Sequence, residues 1–402
     1  MAGLTGGKHV NGIVRLGAHR IDKMGTTHMR YGMNPHQSAA LLSGGPRIVN
    51  GDPSLINYLD ALNAFALTTE VDNLTGLPAA ASFKHVSPAG VAVAGPVDDT
   101  AAKAWNANDA GPQLSAYVRA RDADPKSSFG DVVAFSRPVG LETAEFLRGV
   151  ISDAVIAPGF EAGAVDVLRQ KKAGRFLVFE ADTATDLPAR ERRDIHGAVI
   201  EQDRDDVDLS EALSSSALPV GVGRDDALLG MVTAKYTQSN SVVMVRDGAA
   251  VGIGAGQQNR VDCVRLAGEK ASVWWLRRHD AVRTLPRADG MKRQDRLNWQ
   301  VRFAGQEMTR SQLVEFSQLF GAEARALYDE PTWRARWADE LGGITLVSDG
   351  YLPFRDNVEH AAEYGVSTIV EPGGSTRTPE VLTAAREHNI AHVQTGLRLF
   401  HH

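Results

Sequence analysis

The chain has one cysteine, Cys263, in 402 residues. An intramolecular disulfide is therefore impossible, and a thiolate zinc site would have to be shared between chains. No stretch of about 18 uninterrupted apolar residues occurs, the rough minimum for a helix that crosses a bilayer. The opening MAGLTGGKHVNGIVRLG breaks each apolar run with glycine or charge before it reaches signal-peptide length. A cytoplasmic protein without membrane contact is the expectation. An excess of one charge is also missing, since 43 basic residues stand against 49 acidic ones, a formal −6. That field is too weak to suggest a nucleic-acid partner. A small-molecule substrate fits better.

Several enzyme signatures are absent as well. Without a cysteine pair there is no P-C-x-x-C of the zinc deaminases, and neither a Walker A loop nor a GxSxG elbow occurs. The stretch VGIGAGQQNR, residues 251–260, spaces its glycines as G-x-G-x-G with Gln257 at the third fingerprint position, so the dinucleotide fingerprint fails. Two readings of it stay open, a structural turn or a glycine-rich loop that brings backbone amides to an anion.

What is present reads as two α/β halves, since a chain of this length exceeds what one core usually fills. Leu55, Leu59, Leu62 and Phe65 recur at helical spacing behind a Ser54 N-cap, predicting a helix over 54–70. An apolar run at 79–83 predicts a buried strand opening into a polar loop at Ser87, Pro88 and Gly90. Strand-like runs at 132–136, 154–157 and 176–179 alternate with helical patterns at 142–148 and 161–172. The stretch 182–226 turns polar and acidic and holds the expected domain boundary. A second alternation follows: a helix at 227–236, strands at 242–245 and 250–253, and a helix at 260–277. A charged, mainly helical region at 280–341 precedes strands at 344–347 and 368–370 around a helix at 357–364. Strands alternating with helices argue for sheets covered by helices.

Lys84 and His85 are adjacent at a strand end, where open α/β sheets place ligand groups. A histidine beside an ammonium suits base-assisted attack on an acyl carbon; a solvated lysine beside a structural histidine is the plain alternative. KYTQSNSV, residues 235–242, is dense in amides and hydroxyls that bind a ligand or simply shape a turn. Arg30 and Tyr31 suit a phosphate clamp and a base cover. Trp274 and Trp275 sit in an apolar helical pattern and read as core or subunit interface.

Together these segments resemble the AICAR transformylase domain of the bifunctional purine-biosynthesis enzyme that also carries IMP cyclohydrolase. The resemblance runs in order through RYGMNPHQ (30–37), LINYLDALNA (55–64), SFKHVSPAG (82–90), SSFGD (127–131), SDAVIAPGFE (152–161), KYTQSNS (235–241), GIGAGQQNR (252–260), RLAGEKA (265–271), LPFRDNV (352–358) and LRLFHH (397–402). It implies two cytidine-deaminase-like αβα domains without zinc, residues 1–205 and 206–402, in a homodimer whose sites form at the subunit interface. It implies formyl transfer from the co-substrate 10-formyltetrahydrofolate to AICAR. His85 is then the general base and Lys84 the stabiliser of developing charge, with Asn240 also in the catalytic set. AICAR contacts map to Arg30, Tyr31, Gly130, Asp153, Asn240, Arg260, Tyr351 and Arg398, and folate contacts to Val261, Asp356, Ser375 and Thr376. A potassium ion is implied near Ser239, Asp349 and His402.

The chain departs from the family at Tyr351, where a phenylalanine is familiar, and at Lys126, where methionine is. It also starts near the transformylase boundary, which predicts formyl transfer without ring closure. Competing readings are a formyltransferase for a different aminoimidazole nucleotide or folate form, and a non-catalytic nucleotide-binding partner; the intact Lys84, His85, Asn240 and Arg398 set argues against the latter.

Overall fold

The computed structural model describes residues 14–16, 19–21, 26–29, 31–37, 40–183, 187–216, 223–286 and 290–402. Ser54 caps the first long helix, α1 (Leu55–Thr75), its amide and hydroxyl both donating to Asn57 Oδ1 at 2.9 and 2.8 Å. The helix runs past residue 70 because nothing stops it before Gly76. There the chain turns left-handed (φ 73°) and the glycine amide donates to Asp72 O at 2.7 Å. Its buried side, with Tyr58, Ala61, Phe65 and Val71, packs under the sheet.

Among the described residues the central sheet has eleven strands. In chain order they are β1 (Arg47–Asn50), β2 (Ala79–Lys84), β3 (Ser87–Val93), β4 (Asp131–Phe135), β5 (Ser152–Ala157), β6 (Leu177–Glu180), β7 (Val242–Arg246), β8 (Ala249–Gly254), β9 (Ile344–Ser348), β10 (Val366–Glu371) and β11 (Ala391–Gln394). Across the sheet the order is β11-β10-β9-β7-β8-β3-β2-β4-β5-β6-β1. Reading outward from the centre, β3-β2-β4-β5-β6 and β8-β7-β9-β10-β11 repeat one plan. Each begins with an antiparallel hairpin, adds a third strand antiparallel to the hairpin's first, and continues with two parallel strands. The two plans meet where β3 and β8 pair antiparallel, Ala92 opposite Ala249. One sheet therefore continues across both halves.

The segment 87–93 is strand β3, where the sequence predicts a loop at its start. Gly90 is there for packing, because a Cβ on it would lie 2.0 Å from Ala120 O of the helix α2 (Pro112–Ala123). Pro88 sits opposite Phe83 beside a bulge, a place where a strand tolerates a missing donor. Gly252 and Gly254 of the 251–260 stretch serve packing in the same way. A Cβ on Gly252 would meet Ala267 O at 2.1 Å and one on Gly254 would meet Cys263 O at 2.2 Å, both on the helix α3 (Arg260–Leu276). These glycines let a helix lie close on its strand, in corresponding places of the two halves.

The polar stretch after residue 182 contains an exposed hairpin, Arg190–Ile195 with Ala198–Asp203, and a short helix, Leu209–Ser215. The 280–341 region is helical, with α4 (Arg293–Ala304), α5 (Arg310–Asp329) and α6 (Thr332–Asp339) around a core of Trp299, Phe303, Phe316 and Trp333. Trp275 stacks on Trp337 of that region at 5.2 Å, and each indole N–H donates to the other's backbone carbonyl. A buried cluster ties this side to the first half: Asp122 of α2 accepts from Arg277 at 2.7 Å and from the Trp105 indole at 2.9 Å. A four-stranded antiparallel sheet, Val14–Leu16, His19–Ile21, Thr26–Met29 and Ala40–Ser43, precedes all of this.

Candidate functional site

The strand directions put one set of chain ends on a single rim. It receives the end of β2, the starts of β4, β5 and β7, and the ends of β8, β9, β10 and β11. Lys84 closes β2, and its Nζ donates to Phe129 O at 2.6 Å. His85 is exposed at the tip of the β2–β3 hairpin, whose two connecting residues, His85 and Val86, are both left-handed, with φ 56° and 57°. For non-glycine residues that conformation costs roughly 1–2 kcal/mol each, and such backbone strain concentrates where a side chain must be aimed.

Beside this tip lie Gly130, left-handed at φ 73°, and Asp153; a Cβ on Gly130 would be 3.6 Å from Asp153 Oδ2. Asp153 is ion-paired to Lys172, which sits in a left-handed run with Ala173 and Gly174. The neighbouring Lys171 is buried over the Phe176 ring at 4.1 Å and hydrogen-bonded to Ser152, and burial pushes its ammonium down to about 7. Below them Asp131 is fully buried and bound by Arg121 at 2.8 Å, Ser82 at 2.7 Å and Tyr117 at 3.2 Å. That network makes the floor of the rim rigid and charge-balanced.

The second half contributes a tighter cluster. Asp349, wholly buried after β9, accepts from Arg260 on one oxygen, and from Ser239 Oγ at 2.6 Å and Ser241 N at 3.0 Å on the other. Arg260 also donates to Ser241 O at 3.0 Å and to Asn240 Oδ1 at 2.9 Å, while Asn240 Nδ2 donates to Gln257 O at 3.1 Å. The C-terminal segment laces into this cluster: His401 N donates to Ser239 Oγ at 3.0 Å and Leu399 N to Asp349 O at 2.8 Å. Burial pulls the His401 imidazole down, helped by the positive charges of Arg193 and His402. The two clusters touch through Gln238 N and Ser87 Oγ, 3.4 Å apart.

Tyr351 is exposed at the rim, and Arg398 is exposed with its guanidinium 4.8 Å over the Phe400 ring. Val261 lies in the first turn of α3. Asp356 opens the helix α7 (Asp356–Glu363), its carboxylate accepting from Asn357 Nδ2 at 2.8 Å. Ser375 and Thr376 follow β10, Ser375 Oγ accepting from Arg377 N at 3.2 Å. Tyr31 is half-buried in the connection between the strands Thr26–Met29 and Ala40–Ser43 of the small sheet. Arg30 lies outside the described residues. Sequence reasoning assigned no site role to Asp60, Phe129 or Lys172. Asp60 and Phe129 stand inside the quoted motifs, but their contacts are with residues 26 and 45 positions away.

Among the described residues no three His, Cys, Asp or Glu side chains group as metal ligands. No helix among them is long and apolar enough to cross a membrane. At the expected potassium position, Asp349 already holds a guanidinium, a hydroxyl and an amide. An ion there would have to share that carboxylate.

The bifunctional purine biosynthesis protein PurH of Roseobacter denitrificans is 32% identical over 390 residues, and that of Rhodospirillum rubrum 31% over 386. The PurH of Persephonella marina is 30% identical over 386 residues. Each alignment covers 93% of this chain and 59% of the relative, so the chain spans about three-fifths of their length. The family profile described as AICARFT/IMPCHase bienzyme matches residues 12–270, a span that includes Lys84, His85, Asn240 and Arg260. Profile and relatives together establish that the chain belongs to the AICARFT/IMPCHase bienzyme family.

Proposed function

We propose that this chain is an AICAR formyltransferase of purine biosynthesis, moving the formyl group of 10-formyltetrahydrofolate to the 5-amino group of AICAR to give FAICAR and tetrahydrofolate. The observation that carries the reading is the Lys84–His85 tip, set on the same rim as the Asn240–Arg260–Asp349 cluster. Family membership supports it, as does the exposure of His85 to an incoming amine.

The exocyclic amine of AICAR is conjugated with the carboxamide and is a poor nucleophile, so the reaction needs positioning and a base. The amine nitrogen attacks the formyl carbon, His85 takes the amine proton, and the ammonium of Lys84 stabilises the negative charge on the tetrahedral oxygen. The bond from the formyl carbon to N10 of the folate then breaks, and N10 takes up the proton that His85 accepted, which restores the neutral imidazole. Holding both substrates in register contributes through proximity, and proton transfer by a placed base contributes about two to four orders of magnitude. Arg398, with Arg30, supplies positive charge for the nucleotide phosphate, and Tyr31, Gly130, Asp153 and Tyr351 line the nucleotide. Arg260 acts on it together with Asn240, whose amide it orients. Val261, Asp356, Ser375 and Thr376 form the folate side. A potassium ion near Ser239, Asp349 and His402 belongs to the same reading, and no step runs through it.

The two repeated strand plans support a cytidine-deaminase-like duplication, with the halves dividing near residue 205. A cytoplasmic homodimer completes the reading, because Phe129, Tyr351, Phe354 and Phe400 are each at least 40% exposed around the rim and a partner or bound substrates would cover them. The test is transfer of formyl from 10-formyltetrahydrofolate to AICAR by the purified chain, followed as tetrahydrofolate and FAICAR in equal amounts. Absence of both products under saturating substrates refutes the assignment. Equal turnover of another aminoimidazole nucleotide would replace the substrate.

A further inference from the structure

The chemistry proposed above needs Lys84 and His85 at fixed positions, yet the turn that carries His85 is one its residues disfavour. Lys84 pairs with Ser87, leaving a two-residue connection in which His85 and Val86 both have positive φ. Connections of that kind favour Asn-Gly or Asp-Gly, and a β-branched residue at positive φ is an outlier. Something outside the hairpin must hold it. Asp60 of α1 reaches the turn from below, its Oδ1 accepting from Val86 N at 2.6 Å, with the His85 amide also directed at the carboxylate. Burial raises the pKa of this carboxyl, opposed by those two amides and by the charges of His85 and Lys84. The other restraints come from the sides: Phe129 O fixes the Lys84 ammonium, and Ser87 Oγ meets Gln238 N.

We propose that Asp60 is the positioning residue that holds the Lys84–His85 hairpin tip in its working shape, an inference that rests on the formyl-transfer reading. In that role Asp60 acts without touching substrate. It acts by giving the Val86 amide an acceptor that the hairpin lacks, so that His85 is presented at one place and angle. The side chain lies on a helix whose cap and core contacts do not involve it, so its loss displaces the tip and leaves the body folded.

The experiment uses the full chain. Asp60→Ala lowers kcat for formyl transfer about 100-fold, the scale of an ångström-sized misplacement of a catalytic group, while KM for AICAR and for the folate stays within about threefold. Adding Val86→Gly, which takes positive φ without a Cβ penalty, restores at least about tenfold of the loss. Asp60→Asn, which keeps one acceptor oxygen, falls between. Hydrogen exchange of the His85 and Val86 amides, measured in parallel, accelerates in Asp60→Ala without a change in the protection of β4 and β5. A kcat for Asp60→Ala equal to that of the parent, or a loss that Val86→Gly does not relieve, overturns the inference. If the parent transfers no formyl group, the functional reading fails instead. The exchange data then still decide the role of Asp60, because unchanged protection at 85 and 86 overturns it.

Discussion

Replacing Arg260 with methionine keeps the aliphatic stem at the start of α3 and removes the guanidinium. The side chains of Arg260 and Asp349 are 6% and 0% exposed, so the change strands a carboxylate with only the Ser239 hydroxyl and the Ser241 amide to solvate it. Breaking a buried pair from one side costs about 3–5 kcal/mol. With a urea m-value of about 3 kcal/mol/M, the midpoint of unfolding should fall by about 1–1.7 M. Protein concentration must be held fixed, because an associating chain gains stability by mass action. Arg260→Met combined with Asp349→Asn removes the stranded charge and should regain more than about 1.5 kcal/mol of the loss, within the usual coupling of neighbours. Formyl transfer should stay impaired in the double variant, since Asn240 Oδ1 has lost its donor at 2.9 Å. A midpoint for Arg260→Met within about 0.2 M of the parent would refute the reasoning, as would a double variant whose loss equals the sum of the two single ones.

Three further outcomes follow from the geometry. His85→Ala should lower kcat about two to four orders of magnitude while AICAR affinity changes much less. Near-normal single-turnover transfer by a folded preparation would remove the base role. Lys84→Ala should be severely impaired through lost charge stabilisation, and a Lys84→Ala rate close to that of the parent would show that the Phe129 contact is its whole role. Stability should also depend on pH through His392, a buried imidazole 3.4 Å from Glu371 that burial pushes down to about 4. The unfolded chain takes up that proton first, so its contribution is complete above pH 6.5 and is lost progressively as pH falls toward about 4, amounting to about 3 kcal/mol. His392→Leu should flatten the urea midpoint across that window, and an unchanged slope in this variant would place the acid sensitivity elsewhere.

The regular elements were legible wherever local patterning governs them. The α1 helix, β2, β4, β5, β7 and β8 fall within a few residues of their sequence-based positions, because apolar spacing and caps act over a handful of residues. The misses share a cause in long-range packing. Ser87, Pro88 and Gly90 carry turn chemistry, but the close approach of Ala120 makes Gly90 a strand glycine. The strand β11 is short and mixed in polarity, so nothing local announces it. In the site, Lys84 and His85 stood out as neighbours with complementary chemistry. The pairing of Arg260 with Asp349 joins residues 89 positions apart, and no spacing in the chain predicts it. Asp60 carries no local signal of a site role, because its acceptor role appears only once the hairpin folds over it.

The pairing of β3 with β8 has a mechanical consequence. Val93 N donates to Gly248 O at 3.0 Å across that junction, and Arg119 of α2 donates to Val93 O and to Asp247 O on the same line. A hinge between the halves would have to shear these backbone bonds, so the molecule has no cheap rigid-body closure along its midline. Any closure over the rim would therefore fall to the segment after β9, the turn after β10 and the C-terminal residues, which lie beside the fixed hairpin tip. Substitutions that stiffen those loops should slow product release while leaving the strands beneath them unchanged.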